Sequence, residues 1–525
     1  MVEPAEAKAP DAPPADGEGA SPAREDPPSA RSGHLAIMLL GWVAAIMSTG
    51  VCLSAVSLPS ATADLGLSPW MRSACASAAT LAIAATALAA GVAADRLGRR
   101  RVLMWSYALA GVANLAIVLI PSAAVYLAGN ILAGVAYGVV LTATYAFVKA
   151  VAPRGSLGKA LGLWGMYSIV FATIASLAGG LLAGVDWHWV FLVVPAMCAL
   201  SALPTPRLLP RMPRLASGPV DLWGLFLIGL GLMILITGFL AVATDPGSLV
   251  AWALVAGGGL VLVAWVIVEL RRRAPAFPVR LFRSRPFVAA VLVGVFVNGA
   301  CAALVISLSD YLQYQKQGSV FVATFGLQPF YLIGAAAWLV AGRQLSAGRS
   351  PRGVITLSSL VAAAGFIALL PVQQSSAYWV ILPGSLLLGY GVNAAMTGQA
   401  QVIVDSAPPD AYGAVTSSRL TIGELGYSLG MILTTLLLSR VTASGIVHGL
   451  TEQGMSGEDA YATLAALNTS LLSGQTPAVK NLPDVLRIAA SAFDAAFDAR
   501  MAIGAAVMVA TAAAAWLLMR ERRPH

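Results

Sequence analysis

Three ionisable residues stand inside otherwise apolar stretches of the chain: Asp310, Arg419 and Glu424. A charge in apolar surroundings is costly unless it is paired, so each of these residues is a candidate for a function. Glu424 is the strongest candidate, because a carboxyl group in a low-dielectric site can load and release a proton near neutral pH, and it also attracts cations. The alternative for Glu424 is a neutral, hydrogen-bonded packing residue.

Arg419 and Glu424 are five positions apart in one apolar stretch, which separates them by roughly 140° around a helix axis. We therefore expect no direct pairing between them. Arg419 is expected to extend toward the nearer end of its apolar run, with substrate binding or gating as the alternative. Asp310 lies near the end of its own run, where a solvated vestibule would suit it.

The composition indicates what surrounds these charges. With 58% hydrophobic and 11% charged residues among 525, the chain is too apolar for a soluble protein. A bilayer core needs roughly 20 apolar residues per helix, and a helix satisfies its own backbone hydrogen bonds in lipid. The sequence predicts an all-α integral membrane protein with fourteen transmembrane helices, at 35–60, 73–94, 102–121, 124–148, 160–184, 189–205, 222–243, 248–268, 287–310, 320–341, 353–372, 377–404, 412–439 and 501–519.

Most lysines and arginines fall in the connectors on the side that also carries both chain ends. Short cytoplasmic loops carry such an excess, so we expect both termini in the cytoplasm and the protein in the cell membrane. This topology explains the net charge of +8 without a nucleic-acid partner. Residues 1–33 and 520–525 are predicted as cytoplasmic tails, the first disordered. Residues 441–499 are predicted as an external loop with an amphipathic helix at 482–499.

The connector 91–102, GVAADRLGRRRV, concentrates charge between the second and third predicted helices. Its pattern resembles the signature loop of the major facilitator superfamily. The resemblance implies that the glycines allow close helix packing and that the charges latch two halves of the protein at the inner face. The residues concerned are Gly91, Asp95, Arg96, Gly98, Arg99 and Arg100.

Further stretches, among them DWHWVFLVVP at 186–195 and GAVTSSRLTIGELGYSLG at 413–430, look like the fourteen-span drug:proton antiporter branch of that family. The resemblance implies two six-helix halves at 35–205 and 287–519, with two inserted helices at 222–268. It also implies a secondary transporter that is a monomer, is not an enzyme, and has no cofactor or metal. Amphipathic or cationic small molecules would leave by proton-coupled alternating access. The alternatives are an exporter or flippase of a lipid or metabolite with atypical coupling, and a transport-dead sensor or scaffold.

The sequence departs from that branch at two charged positions. The first helix has Gly50 near the usual Asp, and the fourth has Asn130 where an Arg is usual. Asn130 can keep a hydrogen bond at this coupling position but not the charge. The connector AGRQLSAGRSPR occupies in the second half the place of GVAADRLGRRRV in the first, and it lacks the Asp, so the latch is predicted to be one-sided.

Small residues at helical spacing mark expected sites of close helix packing in the fourth, fifth and thirteenth helices. These helices could pack and slide near a central cavity. The residues are Gly134, Gly138, Gly179, Gly180, Gly184, Gly426 and Gly430. The four cysteines have no metal-like spacing and are expected to fill the core.

Overall fold

A computed structural model describes residues 30–153, 155–212, 221–272, 277–316, 325–408, 412–473 and 482–519. Within these ranges the regular structure is helical throughout, which confirms the predicted all-α class. Most of the predicted tails, 1–33 and 520–525, lies outside the described residues. The helices, labelled here in chain order, are α1 Ala30–Asp64, α2 Pro69–Leu97, α3 Arg99–Leu119, α4 Ala123–Val151, α5 Leu157–Ala183, α6 Val193–Ala202, α7 Leu222–Thr244, α8 Leu249–Arg271, α9 Arg285–Asp310, α10 Gln328–Ser346, α11 Pro351–Ala368, α12 Ile381–Ser406, α13 Tyr412–Glu452, α14 Gly457–Ser473 and α15 Leu482–Leu518.

Local signals place the helix ends. Proline stands in the first turn of α2, α9, α10 and α11, where its missing N–H costs nothing. Asp221 and Ser350 cap α7 and α11 by accepting hydrogen bonds from backbone N–H groups in the first turn. Gly98, between α2 and α3, has φ +96°, and Gly348, between α10 and α11, has φ +88°, a backbone geometry that favours glycine.

Thirteen described helical segments are long and apolar enough to cross a membrane. They correspond to α1–α5, α7–α9, α11–α13, α15, and α6 taken together with the short helical turns on either side of it. The remaining predicted span corresponds to α10, which is 19 residues long and carries Gln328, Arg343 and Gln344. Despite these polar residues, α10 belongs to the helix bundle, because it packs against both α5 and α12.

The spanning helices form two packed groups. In the first bundle, α1–α6, the main contacts join α2 with α4, α1 with α5 and α3 with α4; in the second bundle, α9–α13 and α15, they join α11 with α12, α10 with α12 and α9 with α13. The bundles meet along two seams, α2 against α13 and α5 against α10. The hairpin α7–α8 packs outside the first seam, with α7 against both α2 and α13.

The segment predicted as an external loop is largely helical. Helix α13 continues to Glu452, α14 follows, and α15 begins at Leu482 and runs without a break into the last span. Apolar residues join the three helices in one cluster, because Ile446 and Leu450 pack with Leu467, Val485 and Ile488. The helix predicted at 482–499 is therefore the first part of α15, and its residues Val485 and Ile488 lie in this cluster.

Replacing Leu450 by alanine is expected to loosen this cluster of α13–α15, since Leu450 is only 1% exposed. Deleting a buried leucine side chain costs about 2–5 kcal/mol of packing. Hydrogen exchange of the α14 amides should accelerate in Leu450→Ala. Leu486→Ala, at a half-exposed leucine on α15, is the matched control and should exchange like the wild type. Equal exchange in both variants would contradict the cluster.

Candidate functional site

Asp95 joins the two bundles across the α2–α13 seam. Its carboxylate lies in the last turn of α2, is 4% exposed, and accepts hydrogen bonds from Arg99 Nη2 at 2.7 Å and Nε at 3.2 Å. The other carboxylate oxygen accepts the backbone N–H of Gly413 at 2.7 Å, in the first turn of α13. A carboxylate at a helix N-terminus is stabilised by the helix dipole and by charge-assisted hydrogen bonds. Asp95 therefore latches α2 to α13, and we call this end of the molecule the latch face.

The glycines of the connector fit this geometry. A Cβ on Gly91 would collide with the carbonyl of Gly413 and with Ser417 Oγ, so α2 and α13 can approach only because residue 91 has no side chain. Arg100 donates to the backbone carbonyls of Pro206, at 3.1 Å, and Leu209, at 3.4 Å, which ties the connector to the chain after α6.

Two aromatic contacts surround the latch. The Arg99 guanidinium lies 5.0 Å from the ring centre of Tyr412, and Lys149 Nζ lies 4.9 Å from it. Arg96 is half-buried in the same connector. The structure thus brings Gly91, Asp95 and Arg99 together at the seam, with Tyr412 and Lys149 as partners that the motif did not indicate.

The second seam also has a contact at the latch face. The backbone N–H of Lys159, in the first turn of α5, donates to Ser346 Oγ at 2.6 Å. Gly158 and Gly162 of α5 lie against Gly342 of α10 without room for a Cβ. The sequence analysis missed these residues, although Gly158-x-x-x-Gly162 follows the same spacing as the glycine pairs it singled out.

Glu424 lies twelve residues into α13 and is half-buried. Within the described part of the chain its carboxylate has neither an ion pair nor a hydrogen bond. Tyr427 is close enough to interact with it electrostatically, and Tyr331 of α10 is similarly close to Tyr427 and Cys301. Tyr331 is also close enough to interact electrostatically with Cys52, an exposed residue of α1 in the first bundle. Glu424, Tyr427 and Tyr331 are half-buried and Cys52 is exposed, so this group, which we call the cleft, is accessible where the two bundles face each other.

The cleft is closed toward the latch face. The hydrogen bonds between the two bundles, within the described residues, join Asp95 to Gly413, Lys149 to the carbonyl of Val404, Lys159 to Ser346 and Arg419 to Tyr145. These contacts lie between Glu424 and the latch face. The structure is therefore the conformer in which the cleft is sealed on the latch side.

Arg419 does not extend to the end of its helix, contrary to expectation. Its guanidinium donates to the hydroxyl of Tyr145 of α4 and lies 4.9 Å from that ring and 5.8 Å from the ring of Trp338 of α10. A guanidinium over desolvated aromatic rings gains about 2 kcal/mol or more, and this favours the internal position. Arg419 thus connects the two bundles beneath Glu424, and the expected lack of pairing between Arg419 and Glu424 agrees with the structure.

Asp310 has a partner that the sequence did not reveal. Its carboxylate accepts a hydrogen bond from Arg500 Nη1 of α15 at 3.0 Å, and the same nitrogen is 3.1 Å from Ser307 Oγ. The Arg500 side chain is 1% exposed. The two residues are 190 positions apart in the chain, too far for a spacing argument. This buried ion pair favours a structural role for Asp310 in the second bundle.

Asn130 is also engaged inside one bundle. Ser54 of α1 donates to Asn130 Oδ1 at 2.5 Å, and Asn130 Nδ2 donates to the carbonyl of Tyr126 at 2.8 Å. The residue is buried and joins α1 to α4. Gly50 lies on α1, like Ser54, and packs against the hydroxyl of Tyr137. The positions that depart from the family pattern are therefore filled by neutral packing contacts.

The predicted glycine pairs differ in their environment. Gly134 and Gly138 lie against α2, Gly179 lies against Leu53 of α1, and Gly426 and Gly430 lie against α9. These contacts are within one bundle. A Cβ on Gly180 would meet open space, and one on Gly184 would meet only its own helical turn. The expectation of close packing at Gly180 and Gly184 is therefore wrong, because that side of α5 has no neighbour there.

The turn before α6 is held by Asp186. The backbone N–H and the ring of His188 lie 2.9 Å and 2.8 Å from its carboxylate. These hydrogen bonds lower the pKa of Asp186 from its usual value. Trp187 donates to Asp64 at the end of α1 at 3.3 Å. The Trp187-His188-Trp189 triplet thus serves this turn, away from Glu424.

Residues 37–431 match the family model described as the Major Facilitator Superfamily. The chain is 30% identical to the puromycin resistance protein pur8 of Streptomyces alboniger over 402 residues, 75% of this chain and 80% of that protein. It is 27% identical to the multidrug efflux pump LfrA of Mycolicibacterium smegmatis over 454 residues, 84% of this chain and 87% of that protein. The crystal structure of the human organic anion transporter MFSD10 superimposes with a TM-score of 0.61 at 14% identity, covering 93% of this chain and 100% of that one.

Replacing Asp310 by asparagine should destabilise the protein, because the buried Arg500 guanidinium loses its counter-charge. Breaking a buried pair on one side costs about 3–5 kcal/mol. Thermal unfolding in detergent should show a lower midpoint for Asp310→Asn, and Asp310→Asn combined with Arg500→Met should recover part of the loss. A single variant that unfolds like the wild type but fails to transport would instead assign Asp310 a role in transport.

Proposed function

The chain belongs to the major facilitator superfamily, and on that premise we propose that it is a secondary transporter that exports amphipathic or cationic drugs in exchange for protons. The observation that carries the coupling is Glu424, a carboxylate within the span of α13 that has no ion pair and no hydrogen bond among the described residues. An unpaired carboxylate in such a place can hold a proton or face a cation, but it is unfavourable alone. A proton and a cation therefore compete for the Glu424 carboxylate, and the binding of one displaces the other.

We propose that the first and second bundles are the halves that rock, and that the latch face is cytoplasmic. The arginines of the α2–α3 connector favour this orientation. The cleft in the present conformer then opens to the outside. Both bundles and the cleft between them come from one chain, which supports a monomeric transporter in the bilayer.

The proposed cycle follows from the charge on Glu424. In the outward-open form, protonation neutralises the carboxylate and releases a bound cation. The neutral side chain lets the halves rock, so that Asp95 separates from the N-terminus of α13 and Arg419 separates from Tyr145. On the cytoplasmic side the proton leaves and a new cation binds the carboxylate, and the halves rock back with the cation bound. Protons therefore move inward and the drug moves outward.

The apolar and aromatic lining supports broad specificity. Tyr427 offers a ring face and a hydroxyl group beside Glu424, and Tyr331 lies near Tyr427. A site with few polar anchors discriminates weakly between amphipathic molecules. The relatives are named for puromycin resistance and multidrug efflux, which favours drugs over sugars or ions as substrates of this chain.

Glu424→Gln should abolish gradient-driven movement of a fluorescent cation in liposomes, down to the level of empty vesicles, because the amide can neither carry the proton nor attract the cation. Loss of a charged hydrogen-bond partner should also weaken cation binding by about ten- to a hundredfold. Glu452→Gln is the matched control, since Glu452 lies at the exposed end of the same helix. It should transport like the wild type.

Other results would contradict the coupling. Dye or lipid movement that ignores the pH gradient would favour an uncoupled exporter or flippase, an alternative that the neutral Asn130 environment supports. Wild-type protein that moves no member of a broad panel of cations and lipids would favour a sensor or scaffold, for which the outer cluster of α13–α15 is the natural surface.

A further inference from the structure

The two bundles carry equivalent connectors at the latch face. In the first, Gly91 is followed four residues later by Asp95 and then by Gly98, which has a positive φ. In the second, Gly342 is followed four residues later by Ser346, and Gly348 also has a positive φ. Each connector therefore has a glycine on the seam, an oxygen-bearing side chain one turn later and a glycine turn.

The contacts across the two seams match as well. Gly91 lies against the carbonyl of Gly413 near the start of α13, and Gly342 lies against the carbonyl of Gly158 near the start of α5. Gly413 donates its backbone N–H to Asp95 Oδ2 at 2.7 Å. In the same way, Lys159 donates its backbone N–H to Ser346 Oγ at 2.6 Å. Each connector thus captures the first turn of a helix in the opposite bundle.

We propose that Ser346 is the uncharged counterpart of Asp95, so that the protein has two latches of unequal strength and the α5–α10 seam opens first. This corrects the one-sided latch expected from the missing Asp. A hydrogen bond to an ionised acceptor is roughly twice as strong as a neutral one. Asp95 is buried and also paired with Arg99, whereas Ser346 is half-exposed and bonds a backbone amide of the exposed residue Lys159.

The inserted hairpin increases this inequality. Helix α7 lies against both α2 and α13, and a Cβ on its Gly229 would collide with the carbonyl of Ala85 in α2. The α2–α13 seam is therefore covered from outside by a third element. Of the described helices, none lies against both α5 and α10 from outside in this manner; α12, which contacts both, belongs to the second bundle.

The unequal seams define a route for substrate. This consequence rests on the proposed export by alternating access. When the latch face opens, the α5–α10 seam separates more readily, and an amphipathic molecule in the adjoining leaflet can enter the cleft between these helices. The covered α2–α13 seam acts as the stiffer side.

Distances between spin labels test the proposal directly. In a variant whose four cysteines are replaced by serine, one pair of labels at Lys159→Cys and Arg349→Cys spans the α5–α10 seam. A second pair, at Leu97→Cys and Ser406→Cys, reports the α2–α13 side. Double electron–electron resonance is recorded in nanodiscs at several pH values with and without tetraphenylphosphonium as the cation. We expect the first pair to gain long distances at conditions where the second pair is still short.

Substitutions at residue 346 should change the distances between the first pair of labels and leave those of the second pair unchanged. Ser346→Ala should increase the open fraction at the α5–α10 seam by about two- to tenfold, and Ser346→Asp should decrease it by a similar factor. Ser350→Ala is the matched control, because Ser350 caps its own helix by accepting from Gly353 N–H at 3.2 Å. Its distances should equal those of the wild type.

The proposal would be overturned if both pairs lengthened equally under every condition and neither Ser346→Ala nor Ser346→Asp had an effect. This result would leave the proposed proton-coupled export intact, because the distances do not measure transport. Distances that stay short at both seams throughout would overturn the unequal latches and alternating access together. Loss of coupling in Glu424→Gln is measured separately by transport.

Discussion

A carboxylate inside a lipid-embedded bundle must find a counter-charge, a hydrogen-bond donor or a proton, and this requirement organises the structure. Asp95 has Arg99 and the first turn of α13. Asp310 has Arg500 and is fixed within one bundle. Glu424 lies half-buried in the cleft with neither kind of partner among the described residues. The same physical demand thus produces a latch, a packing contact and the proposed exchange site.

The contacts between the bundles must be strong enough to close the cleft and weak enough to break in each cycle. Hydrogen bonds to charged groups contribute about 1.5–3 kcal/mol, which is comparable to the free-energy difference between interconverting conformers. The Asp95 latch and the Arg419–Tyr145 contact are of this kind, whereas the Ser346 hydrogen bond joins two neutral groups and is weaker. Glycines at both seams let helix backbones touch, so that these short polar contacts can form between the bundles.

The sequence predicted the spans and the latch because their signals are local. Apolar runs of membrane-spanning length indicate helices, and the connector with Gly91, Asp95 and Gly98 resembles the signature loop of the family, which implies the latch. The partner of Asp310 could not be found this way, since Arg500 lies in the last helix, 190 positions away in the chain. The seam contact of Ser346 could not be inferred from the missing Asp, because a serine hydroxyl can also accept a hydrogen bond from a backbone N–H. Arg419 was misplaced because the rings of Tyr145 and Trp338 reach it only in the folded bundle.

The claim that Glu424 exchanges a proton for a cation is tested most directly by following the proton itself. Purified protein in weakly buffered detergent solution is mixed with tetraphenylphosphonium near neutral pH while a pH indicator reports proton release. Because the cation favours the ionised carboxylate, the wild type should release protons on binding, and Glu424→Gln should release none. Cation binding without proton release in the wild type, or equal release in Glu424→Gln, would contradict the account.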